Sequence, residues 1–322
     1  MITKKVLVLG ASGQIGRHLI RKLTRNNYVV TAVTRNLHQK GYSLKTQSPI
    51  GFLEIIEENI FNQEKLNNII KNHAICINLI GILFEKKNNT FQNIHVNFPS
   101  ILSKICKDNN IEKLIHLSAL GIEKSIDSNY AISKLEGENK IKHNFQGAVI
   151  LKPSIVYSVD DNFTTNFMTL LNRLPFMPLY YEGKTKFTPL HVTDLAQIIF
   201  DVVQGKVNEK TIECIGPEIF SFKEIILKLL KAIDKKRLLI PLPLALAKMS
   251  AKIFELMPNP LLTIDQLNLL KYDNIASGKY KTNFDLGIGA NRIFDKEIQK
   301  YSFNWREGGQ YSKDKFLNKT ND

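Results

Sequence analysis

The first half of the chain alternates short β-branched runs with longer stretches of helical period. "KVLVLG" (5–10) predicts a first strand, "IGRHLIRKLTRNN" the first helix, and "YVVTAVTR" the second strand. "FLEIIEENI" predicts a third strand and its exit, followed by the helix "QEKLNNIIKNH". "AICINLIG" reads as the fourth strand, "NIHVNFPSILSKICKDNN" as a long helix and "KLIHLSALG" as the fifth strand. A further helix holds Tyr130 and Lys134, and "GAVILKPSIVYS" is a sixth strand running into a loop. Strands that alternate with helices predict βαβ units and a parallel sheet. The expected fold is therefore α/β, a Rossmann-like doubly wound parallel sheet over residues 1–155 with contributions from about 186–205.

The pattern loosens after that. Eight prolines between 175 and 260 cut the second half into short pieces. This predicts a smaller C-terminal α/β substrate-type or partner domain over 156–322, above the carboxyl ends of the strands where such folds bind ligands. Within it, Leu238–Asn274 is rich in Leu, Pro and Met and predicts an amphipathic helical segment, with Lys248 and Lys252 at its polar margin. That segment suits a core helix, a partner's apolar groove or a bilayer surface. The chain ends in a polar tail after about Gln310.

Composition adds limits. The 322 residues are 43% hydrophobic and 23% charged, a globular balance. The net charge of +14 suits anionic partners, but Lys, Asn and Ile are abundant throughout. Without an Arg-rich run, zinc-finger spacing or interleaved basic and aromatic strand, nucleic acid is not an expected partner. Cys76, Cys106 and Cys214 sit among apolar residues as expected buried thiols of a reducing compartment. The seven histidines lack HxxxH or HExxH spacing, so no metal site is predicted. No apolar run reaches eighteen residues, and the first apolar run breaks at once into a glycine loop. The expectation is a soluble or peripheral protein.

"GASGQIG" supplies the first chemistry. Gly10, Gly13 and Gly16 stand between a strand and an amphipathic helix, where they permit a tight turn, close approach of a pyrophosphate and tight helix–strand packing. At the end of the second strand, where an acid would select NAD, stands Arg35. The first acidic residue anywhere in the chain is Glu54, so no local carboxylate repels a 2′-phosphate. With Arg17 as a second cation, the expected cofactor is NADP(H) in preference to NAD(H). Asn59 follows the third strand, and Ile80 and Gly81 close the fourth strand.

Tyr130 and Lys134 fall one helical turn apart on one face. A lysine ammonium beside a phenol favours the phenolate, which brings a tyrosine of ordinary pKa about 10 nearer to working pH. Ser118 is the available hydroxyl to orient a substrate oxygen, with Ala119 after it.

GxxGxxG with Tyr-x-x-x-Lys resembles the short-chain dehydrogenases, and "KPSIVYS" with "FTPLHVTDLAQII" the extended branch. Stretches 78–96, 114–138, 149–196 and "LLTIDQLNLLKYDNI" resemble something narrower: atypical short-chain dehydrogenases related to the nucleotide-binding accessory subunit of respiratory complex I. The TxDQxxLLxxDN element is the most specific part of the match, which runs to about Asn274. The resemblance implies a tightly held NADPH without established turnover, and partners among complex I subunits or quinone-related proteins near a membrane. It makes Gly10, Gly13, Gly16, Arg17, Arg35, Tyr130 and Lys134 cofactor-facing; Ser12, Gln14, Ile15, Asn59, Ile80, Gly81 and Pro153 are further expected cofactor contacts. If the protein is instead an active reductase, epimerase or dehydratase, Tyr130, Lys134 and Ser118 are its catalytic group.

Overall fold

The computed structural model describes residues 4–257, 260 and 262–311. Six strands form where the apolar runs end in turns: β1 (Lys5–Leu9), β2 (Val29–Thr34), β3 (Leu53–Glu57), β4 (Ile75–Asn78), β5 (Lys113–Leu117) and β6 (Val149–Pro153). The "KPSIVYS" run breaks after Pro153 and resumes as the short β7 (Val156–Tyr157). Further along lie β8 (Phe176–Leu179), β9 (Lys186–Phe187), β10 (Leu190–His191), β11 (Thr211–Cys214), β12 (Phe220–Ser221) and β13 (Leu238–Pro241).

The main sheet is parallel and seven-stranded, in the order β11-β6-β5-β4-β1-β2-β3. Its seventh strand, β11, is an addition to the six expected from the pattern. Thr211–Cys214 is only four residues long and carries Glu213, so its apolar periodicity is too weak to stand out.

Both faces of this sheet are covered, as parallel sheets require. In β1, Val6 and Val8 point to a core shared with α1 (Gln14–Thr24), Leu44 of α2 (Leu37–Lys45) and a later helix, Val192–Val203. Leu7 and Leu9 point the other way, into a core with α3 (Gln63–Ile70), α4 (Phe98–Asp108) and α5 (Asn129–Asn144). The expected long fourth helix opens as a π-helical stretch, Gln92–Asn97, before α4. The remaining helices are α6 (Thr164–Arg173), α7 (Val192–Val203), α8 (Phe222–Ala232), α9 (Leu244–Glu255), α10 (Ile264–Leu269) and α11 (Phe294–Ser302). Phe222 of α8 and Phe294 of α11 share with Tyr157 a separate core above the sheet. The segment Leu238–Asn274 thus folds as β13, α9 and α10.

The second half is tied to the sheet by polar groups from 263–274. Asn274 donates to the carbonyl of Leu120 at 2.7 Å and accepts from Ser154 at 2.6 Å, and its amide donates to Lys186 at 2.7 Å. Below this junction, Glu138 of α5 and Lys152 of β6 are fully buried and 2.9 Å apart, and Lys152 also pairs with Glu123. Burial alone would lower the Lys152 ammonium, but the two carboxylates raise it above its ordinary value. Its stabilising charge is therefore present below the ordinary lysine range and lost at higher pH. Removing one partner of a buried pair strands the other charge. Glu138→Gln is expected to cost about 3 kcal/mol of stability, measured by denaturant unfolding at pH 7. An unchanged midpoint would show that Glu123 compensates fully.

Candidate dinucleotide site

The chain reverses direction across the sheet between β1 and β4, and the crevice beyond their carboxyl ends is the binding place in such folds. The loop after β1 enters this crevice. Gly10 has φ +80°, and a side chain on it would come within 3.0 Å of the Leu79 carbonyl carbon. At Gly16 a Cβ would lie 2.4 Å from the Ala11 carbonyl oxygen, so only glycine lets α1 pack there. Gly13 is the N-cap of α1 and has no side chain to cap it, and the first turn carries no acidic residue. These features leave a helix N-terminus suited to a diphosphate. The loop's neighbours Ser12, Gln14 and Ile15 lie at its rim. Gln14 donates to Ser158 at 2.8 Å.

Arg17 is placed differently from the expectation of a free second cation. It donates to the Ser12 carbonyl at 2.6 Å and pairs with Asp160. Burial would raise the Asp160 carboxyl, yet bonds from His18, Ser158 and Arg17 hold it well below the usual carboxylate range. Arg17 therefore braces the glycine loop against the second half. Arg35, directly after β2, is exposed and has no hydrogen bond or ion pair among the described residues.

The reading that no carboxylate stands near Arg35 needs correction. Thr34 of β2 is paired with Glu57 of β3, whose carboxylate accepts from the amide of Leu37 at 2.7 Å. A residue 22 positions downstream is thus brought beside the β2–α2 turn by strand pairing, which no local reading could detect. Asn59 is exposed, and its Oδ1 accepts from the amide of Phe61 at 3.1 Å, which leaves its amide nitrogen for an adenine edge.

Helix α5 brings Tyr130 and Lys134 to the other side of the crevice. Lys134 is buried, donates to the Leu117 carbonyl at 3.1 Å, and lies 3.2 Å from where a Cβ on Gly81 would sit. Gly81 and Lys134 thus meet, next to Ile80, whose amide donates to Asn78 at 3.1 Å. Burial pulls the Lys134 ammonium down to about 8, with Glu138 acting in the opposite sense. Pro153 ends β6, and its carbonyl accepts from Leu120 at 2.9 Å.

Tyr130 and Ser118 are placed differently from the simple expectation for proton chemistry. Burial, and then Asp265, push the Tyr130 phenol up to about 12, away from the phenolate that a lysine neighbour was expected to favour. Its ring packs edge-on to Phe91 and His95, with centroids 5.9 and 5.3 Å away. The Ser118 hydroxyl donates to Glu138 at 2.5 Å, because residue 118 alternates to the α5 side of the sheet. In this structure it is a structural donor to a buried carboxylate.

Sequence reasoning missed three groups that shape this site. Asp265, in the TxDQ element, accepts from the amides of Asn129 at 2.6 Å and Tyr130 at 3.2 Å and from the Ser128 hydroxyl at 2.8 Å. From 135 residues away it adds to the cap of α5, whose N-cap Ser128 accepts from the Ala131 amide at 3.2 Å. The second is His95 of the π-helical stretch, which accepts from the amide of Ile82 at 3.1 Å through Nε2. Its Nδ1 lies 2.9 Å from Ser133, so the proton of the neutral ring sits there. Burial, then Lys134 and His116, lower it to about 2. The third, His116, is buried and likewise held well below its ordinary value, and Asn78 lies 3.0 Å away.

The family model described as NAD dependent epimerase/dehydratase family matches residues 6–215. The chain belongs to that family. It is 23% identical to the "NADH-ubiquinone oxidoreductase 40 kDa subunit, mitochondrial" of Neurospora crassa, covering 87% of this chain and 74% of that one. It is 25% identical to the "NADH dehydrogenase [ubiquinone] 1 alpha subcomplex subunit 9, mitochondrial" of Mus musculus, covering 91% and 78%. A "Ceramide reductase" of Caulobacter vibrioides is 23% identical over 59% of this chain and 58% of its own. Among solved structures, the Bordetella bronchiseptica enzyme WbmG in complex with NAD shares the fold, with a TM-score of 0.70, 14% identity and 94% of each chain covered.

The buried neutral histidines make the site acid-sensitive. The unfolded state takes up a proton on each below about pH 6.5 and the native state does not, so stability falls as pH drops from 6.5 toward 2. His95 contributes a slope of about 1.4 kcal/mol per pH unit in that window. His95→Gln should lose that slope in urea unfolding between pH 6 and 4, and equal slopes would exclude a neutral His95. Asp265→Ala should cost about 1–2 kcal/mol in the same assay, as a lost helix cap does.

Proposed function

We propose that the protein binds a nicotinamide dinucleotide that is structural or regulatory, and that it serves beside a membrane-bound respiratory complex. The observation that carries this reading is a split between binding and proton chemistry. The glycine crevice and the buried Lys134 are built to hold diphosphate and ribose. Meanwhile the Tyr130 phenol is raised and the Ser118 hydroxyl is committed to Glu138. The dinucleotide would supply hydride chemistry if used. Around it, Gly10–Gly16 would take the diphosphate, Lys134 a ribose hydroxyl and Asn59 the adenine edge. The named relatives that are subunits of NADH:ubiquinone oxidoreductase support a partner of that kind.

NADP(H) is the proposed form. Arg35 is exposed at the end of β2, whereas the nearby Glu57 carboxylate is engaged by the Leu37 amide. Arg35→Asp should weaken NADPH at least tenfold more than NADH in calorimetric titration, the scale of a lost charge-assisted bond. Equal losses would remove Arg35 from the 2′-phosphate. Thermal stability should rise with NADPH, by about 2.7 kcal/mol at a hundred times its dissociation constant. A protein that releases no dinucleotide on denaturation and gains no stability from either form would falsify the binding reading.

A second reading, an active NADPH-dependent reductase, epimerase or dehydratase, is supported by the one-turn spacing of Tyr130 and Lys134 and by the relative named a reductase. It requires Tyr130→Phe to abolish a substrate-dependent NADPH oxidation that the wild type performs.

A further inference from the structure

The Leu238–Met257 surface is not used by the dinucleotide crevice. Helix α9 turns its small residues inward: Ala247 is 1% exposed and Ala251 is fully buried. Its outer side carries Leu246, Met249, Ile253 and Leu256, which are 47%, 56%, 58% and 86% exposed and recur every three or four residues. That spacing aligns them in one stripe. Strand β13 leads into this helix, and its Leu238 is paired in register with Phe176 of β8; both are exposed.

Charge on this face is mainly positive. Lys248 and Lys252 lie exposed along one margin of the stripe, and before β13 Lys236 is exposed, while Lys235 pairs with Glu307 and Arg237 donates to the Leu171 carbonyl. Glu255 is the only acidic residue in 235–257; it is exposed and accepts from the amide of Ile264 at 2.7 Å. A face of aliphatic side chains edged by Lys248 and Lys252 is complementary to an apolar layer beneath anionic groups. The stripe also has no Trp, Tyr or Arg, the anchors that dominate protein–protein contacts. At 12 residues α9 is about 18 Å long, too short to cross a bilayer, and no helix among the described residues is long and apolar enough to do so.

We infer that the outer face of α9 lies in the plane of a bilayer surface carrying anionic lipid, with Met249, Ile253 and Leu256 in the apolar boundary and Lys248 and Lys252 among the headgroups. This deepens the peripheral placement proposed above by naming the face and the lipid chemistry.

The test is sedimentation of the full chain with vesicles of phosphatidylcholine alone or mixed with phosphatidylglycerol. Binding is expected to the mixed vesicles and to weaken with salt, as electrostatic attachment does. Met249→Glu with Ile253→Glu should lower it at least tenfold. Lys248→Glu with Lys252→Glu should lower it about tenfold or more on the mixed vesicles only. All four residues are exposed, and equal melting curves confirm that the variants fold. Absence of wild-type binding, equal binding to both vesicle types, or full binding by the Met249/Ile253 variant would overturn the inference. So would a lipid-free dimer in sedimentation velocity that Met249→Glu with Ile253→Glu makes monomeric, which would assign the face to a second copy. Bound dinucleotide is quantified on the same samples. Lost vesicle binding with nucleotide retained therefore counts against this face and not against the dinucleotide reading.

Discussion

The carboxylate of Asp265 closes the N-terminus of helix α5, and the geometry of the crevice follows from that contact. Two backbone amides and the Ser128 hydroxyl converge on it. A helix end otherwise leaves such donors unsatisfied, and here a distant carboxylate completes the cap that Ser128 begins. Tyr130 and Lys134 sit in the first two turns of that helix and take their positions from it. The same charge also helps push the Tyr130 phenol upward. One residue of the second half thus orients the nucleotide-side helix and disfavours its tyrosine as an acid near neutral pH. Because α10 carries Asp265 and packs through Leu267 against Ala247 of α9, the outer surface and the crevice share one structural support.

Burial sets the charge states of the groups around the crevice. Lys134 is lowered only to about 8 and keeps its positive charge through much of the neutral range. His95 and His116, in the same low-dielectric layer, are held neutral. Lys134 is thus a buried cation beside neutral rings, the arrangement on which the proposed ribose contact rests. Ser118, turned by strand alternation toward Glu138, completes a buried ion network with Lys152. Such networks fix conformation at the cost of the freedom that a substrate-orienting hydroxyl needs.

Local signals were legible wherever the chemistry is itself local. The glycine loop could be read because Gly10 and Gly16 answer to contacts within the strand–turn–helix unit and with the strand beside it. Tyr130 and Lys134 could be paired because helical spacing alone puts them on one face. Their protonation could not be read, since it depends on Asp265 and on desolvation, neither of which is encoded in a four-residue spacing. Glu57 escaped for a similar reason: strand pairing, and not chain proximity, brings it to the β2 turn. β11 was missed because its four residues acquire a strand's identity only by pairing with β6.

By itself the sequence determined the parallel α/β class, the glycine turn between β1 and α1 and the amphipathic character of the 238–257 region, because periodicity and glycine geometry act over a few residues. Only the tertiary structure decided that Arg17 braces a loop, that Ser118 serves a buried carboxylate, that the TxDQ element is a helix cap, and that the apolar side of α9 points outward. Each of those outcomes rests on groups far apart in the chain, whose hydrogen bonds and burial exist only once the two halves have packed.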